Sequence, residues 1–256
     1  MRNEDEYGYW DQERIHAVVD RHLTRRHELK SASAQHHLYG GFNRRSIMLD
    51  TGRRVIDEIT HSSPSQSISH YEATDLAIQL NALYMNICGA LDNLAWAMQY
   101  EWDIIPGVTE TTKRRTQIGL YGQNFLKALS ACRPKLYDKL IKHEDWYKEL
   151  RDLGDPAAHR VPLYAVPGVM TKAVAAEYKE MQEAAAELGR GGDHDGMMEL
   201  IYKSTKLGSY QPLMSIWTPE GDRLMNAWTT VLRDLRQFEV VASLISMELL
   251  PAPVAG

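Results

Sequence analysis

Residues 149–168 read ELRDLGDPAAHRVPLYAVPG, and they bring a cation, carboxylates and an imidazole together where a helical pattern runs into prolines. Arg151, Asp152, Asp155, His159 and Arg160 fall within ten residues. An imidazole titrates near neutral pH and can pass protons. A guanidinium forks onto carboxylate or phosphate oxygens, and a carboxylate can orient either partner. Such a set could form a small acid–base site. The same residues also suit a helix cap and a surface turn, with Arg151 paired to Asp155 and His159 packed in the turn. The preceding residues follow a helical pattern. Pro156, Pro162 and Pro167 are expected to end regular helix here, because proline lacks the N–H that a helix interior uses.

Other candidate chemistry is thinner. His16 and Asp20 stand i, i+4 on one predicted helix, and His36-His37 are adjacent, but there is no HExxH, no Cys-x-x-Cys and no carboxylate–His pair repeated on a second helix. No metal and no cofactor is expected. The glycine-rich run at 189–196 follows no strand and lacks a phosphate-loop lysine, so it reads as a linker. No G-x-S-x-G elbow is present. Cys88 and Cys132 lie far apart and read as buried thiols, which fits a reducing compartment. Arg21, Arg25 and Arg26 share a helix face, Arg44-Arg45 and Arg53-Arg54 form pairs, and Lys113, Arg114 and Arg115 form a run. These suit either a solvated face balanced by acids or a local track for phosphates. Trp96, Tyr100, Trp102, Trp146, Tyr147, Trp217 and Trp228 read as core or hinge packing.

The elements that must position these groups are mostly helical. Residues 1–8 read as an acidic tail, and Ile15, Val18, Val19 and Leu23 mark an amphipathic helix over about 9–30. Gly40-Gly41 is expected to break the chain before a helix over about 43–59 with Ile47, Leu49, Val55, Ile56 and Ile59 inward. A polar loop at 61–69 leads to the strongest helix, about 69–102. Ser69 and Glu72 form a capping-box pattern at its start, and Leu76, Leu80, Leu83, Ile87, Leu91, Leu94 and Met98 form its stripe. Weaker helices follow near 120–131, 135–142 and 144–153. Residues 161–170 and 209–217 look extended and suited to pair as a hairpin or arm. Helices at about 172–188 and 197–206 lie between them. Pro219 is expected to open a final helix to about 250, with Leu224, Trp228, Val231, Leu232, Leu235, Val241, Leu244 and Ile245 inward. The expected fold is all-α: one helical bundle domain over 1–256, with an inserted arm and helix at about 160–218.

Bulk properties narrow the class. At 256 residues, 44% hydrophobic and 25% charged, the chain can bury a sizeable core without disulfides or metal. A net charge of −5 argues against a dedicated, sequence-independent nucleic-acid binder while leaving room for a local basic patch. The acidic N-terminus has no apolar signal region and no 18-residue apolar run occurs, so a cytoplasmic location without membrane contact is expected.

Within an all-α bundle, the pattern Arg151-Asp152-x6-His159 resembles the signature of the HEPN superfamily: an arginine, usually followed by a polar residue, and a histidine four to six residues beyond the arginine, where this chain has seven between them. The run AHR after it and the long helix carrying NICGALDNLAWA are similar in character to that family. The resemblance implies a metal-independent endoribonuclease of a stress, defence or toxin–antitoxin type, with paired motifs meeting across a homodimer. Arg151, Asp152 and His159 would then be catalytic, and Arg160, Lys113, Arg114 and Arg115 would contact RNA. Many members of that family are non-catalytic, so the alternative is a helical interaction or scaffolding module whose arm meets a protein partner or a second subunit.

Overall fold

A computed structural model describes residues 12–61, 67–159, 161–218 and 221–251. The acidic tail, Arg160, Pro219 and residues 252–256 lie outside the described residues. The chain divides into two compact units: one from Met1–Arg53, Asn81–Arg160 and Thr229–Gly256, the other from Arg54–Leu80 and Val161–Trp228. The second takes in the expected arm at 160–218 and adds 54–80. In chain order the α-helices are α1 (Gln12–Arg25), α2 (Ala32–His36), α3 (Arg44–Thr60), α4 (His70–Trp102), α5 (Gln123–Cys132), α6 (Pro134–Leu140), α7 (Glu144–His159), α8 (Lys172–Arg190), α9 (His194–Ser204) and α10 (Ala227–Leu249). The strands are β1 (Tyr164–Ala165), β2 (Leu213–Thr218) and β3 (Gly221–Asn226). The described residues are mostly helical with one small sheet, as expected of an all-α bundle with an extended arm.

The first unit is built on α4. Leu83, Ile87, Leu91, Leu94 and Met98 are buried along one stripe, with Leu38, Phe42, Leu150, Leu153, Val231, Leu235 and Phe238 also in the core. Each such side chain contributes roughly 1.5–3 kcal/mol on leaving water. A buried carboxylate links three elements: Asp234 on α10 accepts from the Tyr84 hydroxyl of α4 at 3.0 Å and from the Trp146 indole of α7 at 3.2 Å. The Arg233 guanidinium also donates to it at 2.9 Å, so its charge is matched rather than orphaned. In α1 the inward residues are Ile15, Val18 and His22, whereas Leu23, expected inside, is 43% exposed. Ile47 of α3 is likewise turned out.

Two expected breaks are instead continuous helix. Gly40-Gly41 does not interrupt the chain: α2 runs through a π-helix, His37–Asn43, straight into α3. Gly41 is needed there, because a Cβ at that position would lie 2.0 Å from Asn93 Oδ1 of α4. Pro156 does not end α7, which runs on to His159. A proline at 156 offers no N–H to the carbonyl of Asp152, four residues back, and Asp152 is an exposed residue, where solvent can serve instead.

In the second unit the capping box forms as read: the Glu72 N–H donates to Ser69 Oγ at 3.2 Å and the Ser69 N–H donates to Glu72 Oε2 at 2.8 Å. The extended segments pair, with β1 antiparallel to β2 through Tyr164↔Ser215 and Ala165↔Met214. β3 replaces the expected start of the last helix. It pairs with β2 from Leu213↔Asn226 to Thr218↔Gly221, and α10 begins only at Ala227. Leu224 is therefore on an exposed strand and not on an inner helix face. The pleat also corrects Trp217: Met214 and Ile216 point inward, so Trp217 faces out at 50% exposure. Ile68, Ala73 and Tyr210 form a small buried cluster with Ile59 against it.

Candidate functional site

Arg151 is placed by the approach of α7 to α4. A Cβ at Gly154 would lie 2.4 Å from the Cys88 sulfur, so only glycine allows the two helices this close. One turn earlier on α7, Arg151 forms an ion pair with Asp155, both side chains remaining more than a third exposed. Asp92 of α4, Tyr147 of α7 and Cys88 complete its electrostatic surroundings. Burial opposes the charge on Arg151, and these four neighbours more than offset it, raising its pKa. Burial also raises the Asp92 carboxyl, against the pull of Arg151 and Arg45. The Cys88 thiol is pushed up to about 12, mainly by burial, which makes it a packing group rather than a nucleophile. Cys132, expected to be buried as well, is exposed at the end of α5.

The motif residues share one helix. Asp152 is exposed beside Arg151. His159 closes α7, and its side chain lies outside what is described, as does all of Arg160. Eight steps of unbroken helix separate the Arg151 and His159 positions by about 12 Å along the axis. Lys113, Arg114 and Arg115 are exposed in the segment between α4 and α5, where Arg114 turns back to donate to Gln117 Oε1 at 3.2 Å. Other basic residues serve the fold: Arg25 pairs with Glu28 at 2.7 Å, and Arg26 lies 4.1 Å from the centre of the Tyr39 ring. Among the described residues, no group of three or more His, Cys, Asp or Glu side chains is gathered as a metal site.

A second set of polar groups was not legible as a site. A cleft of about 550 Å³ opens over the π-helix, lined in part by His36, Arg44, Arg45, Asn86, Asn93 and Glu110. Its framework is well braced. His37 is almost fully buried, with Nδ1 3.1 Å from Asn93 Oδ1 and Nε2 3.6 Å from Glu110 Oε2. Its ring stacks on Trp96 and Tyr100, with centroids 6.0 and 5.5 Å away. The Tyr100 hydroxyl accepts from the Glu110 N–H at 3.2 Å. The Gln99 amide holds the loop leading to Glu110 through the Ile105 and Val108 carbonyls, at 2.9 and 3.1 Å. Arg45 lies flat against the backbone at Gly89 and donates to Asn86 Oδ1 at 3.0 Å. The visible signal was HHLYGGFNRR: histidines and arginines on either side of two glycines at helical spacing. With the glycines taken as a break, that spacing had no meaning.

No family model, no curated protein and no solved structure matches this chain.

Proposed function

We propose that this protein is a HEPN-like, metal-independent endoribonuclease of a stress, defence or toxin–antitoxin type that works as a homodimer. The observation behind the reading is the half-exposed Arg151, midway along α7, paired with Asp155 and in the field of Asp92, on the same helix as Asp152 and His159. Seven residues separate Arg151 from His159, one more than the resembled motif usually takes. In this reading the His159 imidazole removes the proton of a ribose 2′-hydroxyl, and that oxygen attacks the adjacent phosphorus. The bond to the 5′-oxygen breaks, and the leaving oxygen takes its proton from the second subunit's histidine acting as acid. Arg151 spreads the developing charge on the phosphate. Asp152 orients the site, and Arg160, Lys113, Arg114 and Arg115 meet strand phosphates. The products are a 2′,3′-cyclic phosphate and a 5′-hydroxyl.

Incubation of the pure protein with structured RNA in excess EDTA tests this. Cleavage is expected, and His159→Ala or Arg151→Ala should slow it at least about 100-fold. Intact RNA with the natural chain, or unchanged cleavage by both variants, overturns the reading. One observation favours the alternative of a non-catalytic interaction module: the Arg151 guanidinium already has a carboxylate partner in Asp155. That module would leave RNA intact and copurify with a stoichiometric protein partner. No helix among the described residues is long and apolar enough to cross a membrane.

A further inference from the structure

The cleft over the π-helix belongs to neither motif nor core, and its construction is unusual for mere surface. Two glycines leave its floor without side chains, between His36-His37 on one side and Arg44-Arg45 on the other. The His36 ring lies across Gly40, 3.2 Å from where a Cβ would stand. A stretch of π-helix inside α-helix is a recurrent feature of functional sites, because it displaces side chains from their α positions. The two arginines differ in how they are held. Arg45 is fixed by Asn86 and Gly89, while Arg44 is exposed at the mouth. The single carboxylate on the lining, Glu110, is turned toward His37 and the Tyr100 hydroxyl, at 3.6 and 3.4 Å. The lining therefore offers two guanidinium groups and the His36 imidazole against one carboxylate that already has partners. Met48, 58% exposed, adds an apolar contact beside them. The volume is that of a small-ligand pocket.

We propose that this cleft binds a phosphate group attached to a nucleoside, as a free nucleotide or as the phosphorylated end of a strand, with Arg44, Arg45 and His36 as its donors. Two guanidinium groups at consecutive positions suit a dianion, since each can fork onto a different pair of phosphate oxygens. The rigid placement of Arg45 supplies direction. The exposed Arg44 supplies a charge free to close over the ligand. Met48 accounts for a preference for a nucleotide over bare phosphate. The site goes beyond the ribonuclease reading and does not require it.

Calorimetric titration of the full chain carrying His159→Ala, so that no ligand is consumed, tests the proposal. The probes are inorganic phosphate, acetate, adenosine, AMP, and a short oligoribonucleotide with and without a 5′-phosphate. AMP should bind more tightly than phosphate, acetate and adenosine, and more weakly as salt rises. Equal gains from the 5′-phosphate on the oligonucleotide would identify a strand end as the source, and a gain for AMP alone would identify the free nucleotide; either supports the site. His36→Gln with Arg44→Ala, both at exposed positions, should fold normally and weaken AMP binding about tenfold or more. The proposal is overturned if nothing binds, if adenosine, acetate or inorganic phosphate binds as tightly as AMP, or if the double variant binds AMP as the parent does. None of these outcomes depends on whether RNA is cut.

Discussion

At the scale of single residues, His22 is the most consequential polar side chain in the core. It is fully buried, its Nδ1–H donates to Asn43 Oδ1 at 3.0 Å, and its Nε2 accepts from the Ser246 hydroxyl at 2.8 Å. Both ring nitrogens are served in the neutral form, and burial lowers its pKa from 6.5 to about 4. The unfolded chain therefore takes up the proton first as pH falls. The stabilisation is complete above about 6.5 and is lost as pH drops toward 4, with about 2 kcal/mol gone by pH 5. Urea unfolding at pH 7.5 and 5.0 checks this: the natural chain should lose that much more stability between the two than a His22→Phe variant. Equal losses would sink the assignment. Reading by polarity puts Leu23 inside and passes over His22. The partners that make a buried histidine acceptable lie 21 and 224 residues away in the chain, and no local pattern announces them.

At the scale of elements, the seam between α4 and α7 carries the candidate chemistry, and it closes only because residue 154 is glycine. Alanine would be worth about 1 kcal/mol more than glycine in a helix interior. Here its Cβ would lie 2.4 Å from the Cys88 sulfur. Overpacking of that kind costs about 1–3 kcal/mol, so Gly154→Ala should destabilise on balance, by up to about 2 kcal/mol. With Cys88→Ala in place the clash disappears, and the same change should become neutral or favourable. A double-mutant cycle by denaturant unfolding should show coupling of about 1 kcal/mol or more; additive effects would mean that the helices are not locked here. The strong periodicity of α4 and its capping box were legible because they are local. The end of α7 was not, since a proline at 156 withholds one N–H, and the residue it would have served, Asp152, is exposed. β3 was missed for the opposite reason: Pro219 suits a helix start, and only pairing with β2 makes GDRLMN a strand.

At the scale of the whole molecule, each compact unit is assembled from segments distant in the sequence, so their grouping cannot be read from one chain alone. The net charge of −5 means that any anion-binding function must be local, which places weight on how the arginines beside the π-helix are displayed. That segment holds two lengths of regular helix, each with its own buried side chains, Ala34 before it and Leu49 after it. It acts as slack in a rope: surplus backbone taken up between two taut ends. Excising Gly40 should draw the slack in and let the i→i+4 pattern run through, with both ends still docked. Such a deletion, normally ruinous in a helix because it turns everything beyond it by about 100°, should here leave a cooperatively unfolding protein by circular dichroism. What it should remove is the ability to hold AMP. A shortened chain that unfolds non-cooperatively would mean that the extra length is part of the foundation rather than slack.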